Sequence, residues 1–278
     1  MHHITFRAAF QSLFCRSGLS PRKGRRPRRP ARSRDRSLRG VEDAAPYAPR
    51  NPYAPRHDPD FGFLQPGAFI SILEEYHLIH KLDMAVLEIV CRDLREAMDK
   101  GLRVFPISIN FSRLDFELLN LADELDSCME RYGIDKGLIH VEVTESMLGE
   151  GNAKLTGMLN KLRERGYSLW LDDFGSGYSG LNVLKDYSFD MMKIDMNFLS
   201  KFSENKKSQP ILTSIVGLAE KIGMKTLSEG VETNEAYDFL RSIGCQRLQG
   251  YLFGKPMLKS ELVEKIHNGT YVVSELAG

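Results

Sequence analysis

Apolar and polar positions change rhythm along this chain. The segment PGAFISILEEYHLIHKLDMAVLEIVCRDLREAMDKG spaces its apolar residues three and four apart, with Pro66 early and Gly101 at the end. That spacing predicts two consecutive helices. Short β-branched or aliphatic runs follow: RVFPISINFS, GLIHVEVTES, YSLWLDDFGSG, FDMMKIDM, KTLSEGVE and QRLQGYLFGKP. Between them lie the helical patterns FELLNLADELDSCMERYG, NAKLTGMLNKLRERG, QPILTSIVGLAEKIG and NEAYDFLRSIG. Strand and helix alternating at this interval predict βαβ units and a parallel sheet.

Strand after strand is apolar in its body and polar at its end. The ends carry Asn110, then Glu142 and Glu145, Asp172 and Asp173, Lys193 and Asp195, Glu229 and Glu232, and Gln249. A (β/α)8 barrel opens the carboxyl ends of all its strands on one face, where active sites sit. A doubly wound sheet gathers ligands mainly at its switch point. Six consecutive polar ends therefore predict a TIM-type α/β barrel.

Composition divides the 278 residues in two. Residues 1–60 hold 14 Lys and Arg against 5 Asp and Glu, leaving 24 against 32 for the remainder, although the whole chain is near neutral at +1. Residues 17–57 are rich in Pro and Arg, include the tandem PYAPRN and PYAPRH, and hold almost no large aliphatics. Such a segment cannot bury enough surface to fold alone. The expected organisation is a basic, disordered or non-native arm at 1–57 and a barrel at 58–278. Clustered arginines make nucleic acid or an anionic membrane the partner classes for the arm, and a solvated tail is the plainer reading. Cys15, Cys91, Cys128 and Cys245 stand singly, as expected of reduced thiols in a cytoplasmic protein. There is no apolar run near the roughly 20 residues of a membrane span, and Arg7, Gln11 and Ser12 interrupt any signal-peptide core.

Carboxylates converging at one pole repel each other toward protonation unless cations intervene. Asn110, Glu142, Asp172 and Asp173 form an oxygen-only donor set, which suits hard Mg²⁺ or Mn²⁺. Adjacent strand residues face opposite sides, so Asp172 and Asp173 can share a site only where the strand breaks, as the glycines of Phe174-Gly175-Ser176-Gly177 imply. Two metals roughly 4 Å apart are the usual arrangement for phosphodiester hydrolysis. Lys193 then serves to neutralise phosphoryl charge or orient water, and Glu229 to accept a proton. Each residue also has a structural reading: Asp195 and Glu145 as caps, Glu232 as part of the next helix start.

These residues lie in six ordered motifs: SINFS at Asn110, HVEVTES at Glu142, LDDFGSGYS at Asp172, MKID at Lys193, SEGVET at Glu229 and QGYLFGKP at Gln249. From about residue 58 onward the chain closely resembles the EAL domain, the bacterial module that linearises cyclic di-GMP on a barrel with two divalent metals. The resemblance implies metal ligation by Asn110, Glu142, Asp172 and Asp173, with Asp173 serving the second ion. It implies assistance to the attacking water by Lys193 and Glu229, and support of the metal or substrate site by Gln249. Glu145 and Glu232 would hold the loop after Asp173, which contains Tyr178 and couples metal binding to dimerisation, so a homodimer is an implied assembly. The departure is at the front. The family has two strands there, the second carrying the Glu-Ala-Leu signature, whereas residues 46–57 hold four prolines. Asn51 falls where the signature glutamate is expected, and Glu42 is the alternative alignment. A central strand excludes proline, so the barrel is expected to be incomplete or irregular at its N-terminal strands. The expected function is metal-dependent hydrolysis of cyclic di-GMP to linear pGpG in bacterial second-messenger signalling, with impaired turnover. The alternative is an inactive cyclic di-GMP receptor or protein-interaction module.

Overall fold

The computed structural model describes residues 56–58, 62–64, 66–102, 104–148, 153–176, 180–199, 202 and 207–255. The basic arm through residue 55, with Asn51 and Glu42, and the loop residue Tyr178 lie outside the described residues.

The two helices expected at the front are α1 (Pro66–Glu75) and α2 (Ile79–Asp99), joined by a tight turn in which His77 adopts a left-handed φ of 53°. Six parallel strands follow: β3 (Ile107–Asn110), β4 (Ile139–Thr144), β5 (Ser168–Phe174), β6 (Met191–Ile194), β7 (Lys225–Ser228) and β8 (Arg247–Leu248). They pair strictly in chain order. A separate antiparallel pair, β1 (Arg56–Asp58) with β2 (Gly62–Leu64), precedes them and straddles the expected boundary at residue 57. The described strands thus form a curled parallel sheet of six, a half-barrel.

Helices occupy every crossover. They are α3 (Arg113–Leu118) and α4 (Leu121–Tyr132) after β3, α5 (Ala153–Glu164) after β4 and α6 (Gly180–Asp186) after β5. Helix α7 (Ser208–Lys221) follows β6, and α8 (Asn234–Ser242) follows β7. Where the pattern FELLNLADELDSCMERYG predicts one helix there are two, because Leu119 is extended at ψ 160° between them. Asp115 explains the early start of α3: its carboxylate accepts from the Ser112 backbone N–H (2.6 Å) and hydroxyl (2.7 Å), which fixes the first turn. Burial holds the Asp115 carboxyl above the ordinary range, against the lowering effect of hydrogen bonds with Asp83 and Ser112. Helix α6 carried no pattern that singled it out.

Period-two alternation sorts the strand residues onto two faces. One face packs Val141, Val143, Leu169, Leu171, Met192 and Ile194 against the helices. Each such fully buried aliphatic side chain contributes about 1.5–3 kcal/mol. The inner face has a lower layer of Trp170, Met191 and Leu227, a separate apolar cluster. Two residues further along the chain from each stand Asp172 and Lys193, on the same strands, and Glu229, just past the end of β7. The barrel interior is therefore apolar below and charged above.

Gly250 fixes how β8 ends. Gln249 donates its N–H to the Ser228 carbonyl (2.9 Å) and accepts from Val231 N–H (3.0 Å), while Leu252 N–H returns to the Val231 carbonyl (3.0 Å). A Cβ at Gly250 would collide with the Val231 backbone. Gly250→Ala is therefore expected to lower stability by about 1–3 kcal/mol, the usual cost of overpacking. Urea unfolding followed by circular dichroism measures it, and an unchanged midpoint contradicts the contact.

Candidate active site

The charged layer is built on Lys193. Its side chain is fully buried, and its ammonium lies 2.6 Å from Asp172 Oδ1, 2.9 Å from Glu229 Oε1 and 3.0 Å from Glu142 Oε1. Strand order brings these groups together: β4 carries Glu142, β5 Asp172, β6 Lys193, and Glu229 follows β7. Glu142 and Asp172 are as inaccessible as the lysine. A lysine pulled this deep loses hydration worth several kcal/mol, and three carboxylates restore it. Counting Asp173, four carboxylates face one ammonium, so the layer keeps an excess of negative charge.

Asp172 and Asp173 converge by a route that differs in detail from the expected strand break. Strand β5 continues to Phe174, but its pairing with β6 shifts register between Leu171 and Phe174, a β-bulge. Asp173 sits at φ 55°, a left-handed conformation that a non-glycine residue adopts only under local constraint. Its N–H donates to Asp172 Oδ1 (3.0 Å). The twist turns Asp173 back toward its neighbour, and oxygens of Asp172, Asp173 and Glu229 lie within 4.8 Å of one another. That trio can hold a hard divalent cation, and the oxygen-only donors and excess negative charge fit one.

The remaining predicted residues fall into place around this group. Asn110 ends β3 directly opposite Glu142 in the parallel register. Glu145, almost fully buried, accepts from the Gly175 N–H (2.9 Å) and so anchors the start of the loop after Asp173. Gly175 itself has φ 93°, and a Cβ there would strike the Phe198 ring. Gln249 is anchored through its backbone, and its side-chain Oε1 is buried without a hydrogen-bond partner. Asp195 caps the short turn Met196–Phe198 by accepting from Asn197 N–H (2.7 Å), its structural reading. Glu232 is exposed ahead of α8, whose cap is Thr233, accepting from Ala236 N–H (3.2 Å). Glu229, read from sequence as a proton acceptor, also stands among the possible metal donors. Its position at a strand end was the signal for that role as well.

The family model described as the EAL domain matches residues 53–256. The chain belongs to the EAL domain family. It is 33% identical over 206 residues to the oxygen sensor protein DosP of Escherichia coli, covering 74% of this chain and 26% of that one. It is 35% identical over 209 residues to the cyclic di-GMP phosphodiesterase NbdA of Pseudomonas aeruginosa, covering 75% and 27%. The chain thus spans about a quarter of the length of these relatives. Among solved structures, the phosphodiesterase PaMucR in complex with c-di-GMP superposes with a TM-score of 0.68 at 31% identity, over 76% of this chain and 89% of that one. The EAL enzyme Bd1971 in its cAMP and cyclic-di-GMP bound form gives 0.70 at 30% identity, over 76% and 58%. These EAL neighbours carry the TIM-like barrel, of which the described residues here form the six-stranded part.

Within this EAL barrel, Lys193 is the group whose removal changes most. Lys193→Met leaves Glu142, Asp172 and Glu229 buried without their shared cation and is expected to cost about 3–5 kcal/mol. Added Mg²⁺ should recover part of that loss, because a bound cation replaces the missing charge. Urea midpoints in EDTA and in Mg²⁺ provide the check, and equal midpoints for both proteins in EDTA would contradict the network.

Proposed function

We propose that this chain hydrolyses one phosphodiester bond of cyclic di-GMP, giving linear pGpG, with two divalent cations, Mg²⁺ or Mn²⁺, as cofactors, in bacterial second-messenger signalling. The observation that carries the proposal is the buried lysine bound to three carboxylates, with Asp173 folded back beside them at the carboxyl end of the barrel. Relatives named as cyclic di-GMP phosphodiesterases, and a phosphodiesterase solved with c-di-GMP, support the substrate.

Each residue has a definite task in this reading. Asp172, Asp173, Glu142 and Asn110, with Glu229 in reach, would hold the cations, which would supply Lewis acidity toward the phosphoryl oxygens and toward water. Lys193 is enclosed by carboxylates, so it acts chiefly as a positioning residue that keeps three of them in fixed orientation. Glu229 accepts a proton from the attacking water as the new P–O bond forms. The ester oxygen on the opposite side leaves and takes up a proton, which opens the ring. Gln249 offers a buried amide oxygen beside the cations or the substrate, and Glu145 steadies the loop after Asp173 through Gly175. Asp195 and Glu232 support the loops next to the site. Leu181 on α6 is 71% exposed and lies just after that loop, which supports a homodimer. Three described cysteines are buried free thiols and no described helix is long and apolar enough to cross a membrane, which supports a cytoplasmic location.

A second reading rests on one sequence feature. Where the family signature carries a glutamate, this chain offers Asn51 or, in the other alignment, Glu42, and a lost carboxylate weakens cation affinity. That favours a receptor which binds the dinucleotide without turning it over. Incubation with cyclic di-GMP and Mn²⁺, followed by chromatography, separates the two. The hydrolase reading expects pGpG that disappears in EDTA and falls about a hundredfold or more in Asp172→Asn. Saturable binding with no product would replace it with the receptor.

A further inference from the structure

The opposite end of the same strands holds a second feature that the carboxylate layer does not use. A cavity of about 620 Å³ opens at the amino-terminal pole, within the range of small-ligand sites, roughly 300–1,000 Å³. Its walls come from the first residues of successive strands, including His140, Trp170, Lys225 and Arg247, with Arg163 and Asp190 between them. Lys225 and Glu229 are four residues apart on β7 and its extension, which at about 3.3 Å per residue separates the two poles by roughly 13 Å.

The charge on this floor is lopsided. Among the described residues, none of Arg163, Lys225 and Arg247 is within ion-pairing distance of a carboxylate, although Arg163 already spends one guanidinium donor on the Ser188 carbonyl. The one acid in the wall, Asp190, is engaged by the backbone, its Oδ2 accepting from Leu169 N–H (2.8 Å). Arg247 is half-buried and stands over the Trp170 ring, 5.2 Å from its centroid. Trp170 is itself held by His140, stacked at 4.5 Å, and by donation from its indole N–H to Ser168 Oγ (3.0 Å). The guanidinium therefore rests on a rigid aromatic support at the cavity wall, with no carboxylate of the described residues in ion-pairing range. Burial pulls the Arg247 guanidinium down from its ordinary value, a cost that a bound anion would offset.

We propose that this floor is a binding site for the phosphoryl group of a small molecule, separate from the carboxylate pole, with Arg247 as its principal ligand and Arg163 and Lys225 beside it. Three cations against one acid leave two positive charges, which match a phosphate dianion and not a single carboxylate. Planar guanidinium groups engage phosphoryl oxygens in pairs, which gives the site its geometric selectivity. The volume leaves room for an organic group attached to the phosphate.

Calorimetric titration of the full chain in EDTA tests this, because without divalent cations the carboxylate pole repels anions. Inorganic pyrophosphate and GMP are the probes, and guanosine is the uncharged control. Saturable binding of pyrophosphate, GMP or both is expected, with none for guanosine. Pyrophosphate alone would point to an inorganic anion, and GMP alone to a phosphomonoester. Arg247→Gln should weaken binding roughly tenfold to a hundredfold, the loss of one charge-assisted hydrogen-bonding group. Lys225→Gln, at an exposed position that does not threaten folding, should weaken it less, and Asp172→Asn should leave it unchanged. The proposal is overturned if neither probe binds at millimolar concentration, if guanosine binds as well as GMP, if folded Arg247→Gln binds like the parent, or if Asp172→Asn abolishes binding.

Discussion

A fully buried ammonium cannot persist in a barrel interior without opposite charge packed against it, and most of the upper site follows from that requirement. Lys193 draws Glu142, Asp172 and Glu229 from three further points of the sheet to one position. Each carboxylate would be unstable there alone, and the lysine would be unstable without them. The cluster is held by mutual need, so the order and register of β4 to β7 and the geometry of the site are a single constraint. The surplus negative charge left after pairing is what makes the pole receptive to hard cations.

The backbone at Asp173 does the complementary work. A regular strand would send Asp172 and Asp173 to opposite faces, one toward the barrel interior and one toward the helices. The bulge against β6 and the left-handed Asp173 overcome that alternation at a conformational cost of order 1–3 kcal/mol. The same bulge releases the chain into the loop that Glu145 holds through Gly175. The placement of Asp173 and the start of the loop therefore share one distortion.

The two ends of the barrel carry opposite charge. At the carboxyl pole three carboxylates contact one ammonium with a fourth beside them, and at the amino pole three basic side chains line one cavity with a single acid that is already engaged. The apolar layer of Trp170, Met191 and Leu227 separates them, with Trp170 serving as both the floor of one region and the roof of the other.

Sequence pattern alone determined the parallel α/β architecture, six of its strands, the two leading helices and the polar strand ends that collect at one pole. These were legible because burial imposes a period of two on strands and 3.6 on helices, and because polar residues at every strand terminus have one common destination in a barrel. It did not show that Leu119 would split one helical pattern into two, or that β5 would bulge and not end; for Asp195 it offered a cap beside a role in the site, and the hydrogen bond from Asn197 N–H decided for the cap. Those outcomes depend on hydrogen bonds to particular neighbours, which periodicity does not encode. Nor could it show the amino-terminal cavity, since His140, Trp170 and Arg247 are isolated in sequence on three strands. Only the folded sheet brings an imidazole, an indole and a guanidinium together: pairing sets His140 on β4 beside Trp170 on β5, and the curl of the sheet carries Arg247 on β8 over that ring across two intervening strands, which no position along a single strand encodes.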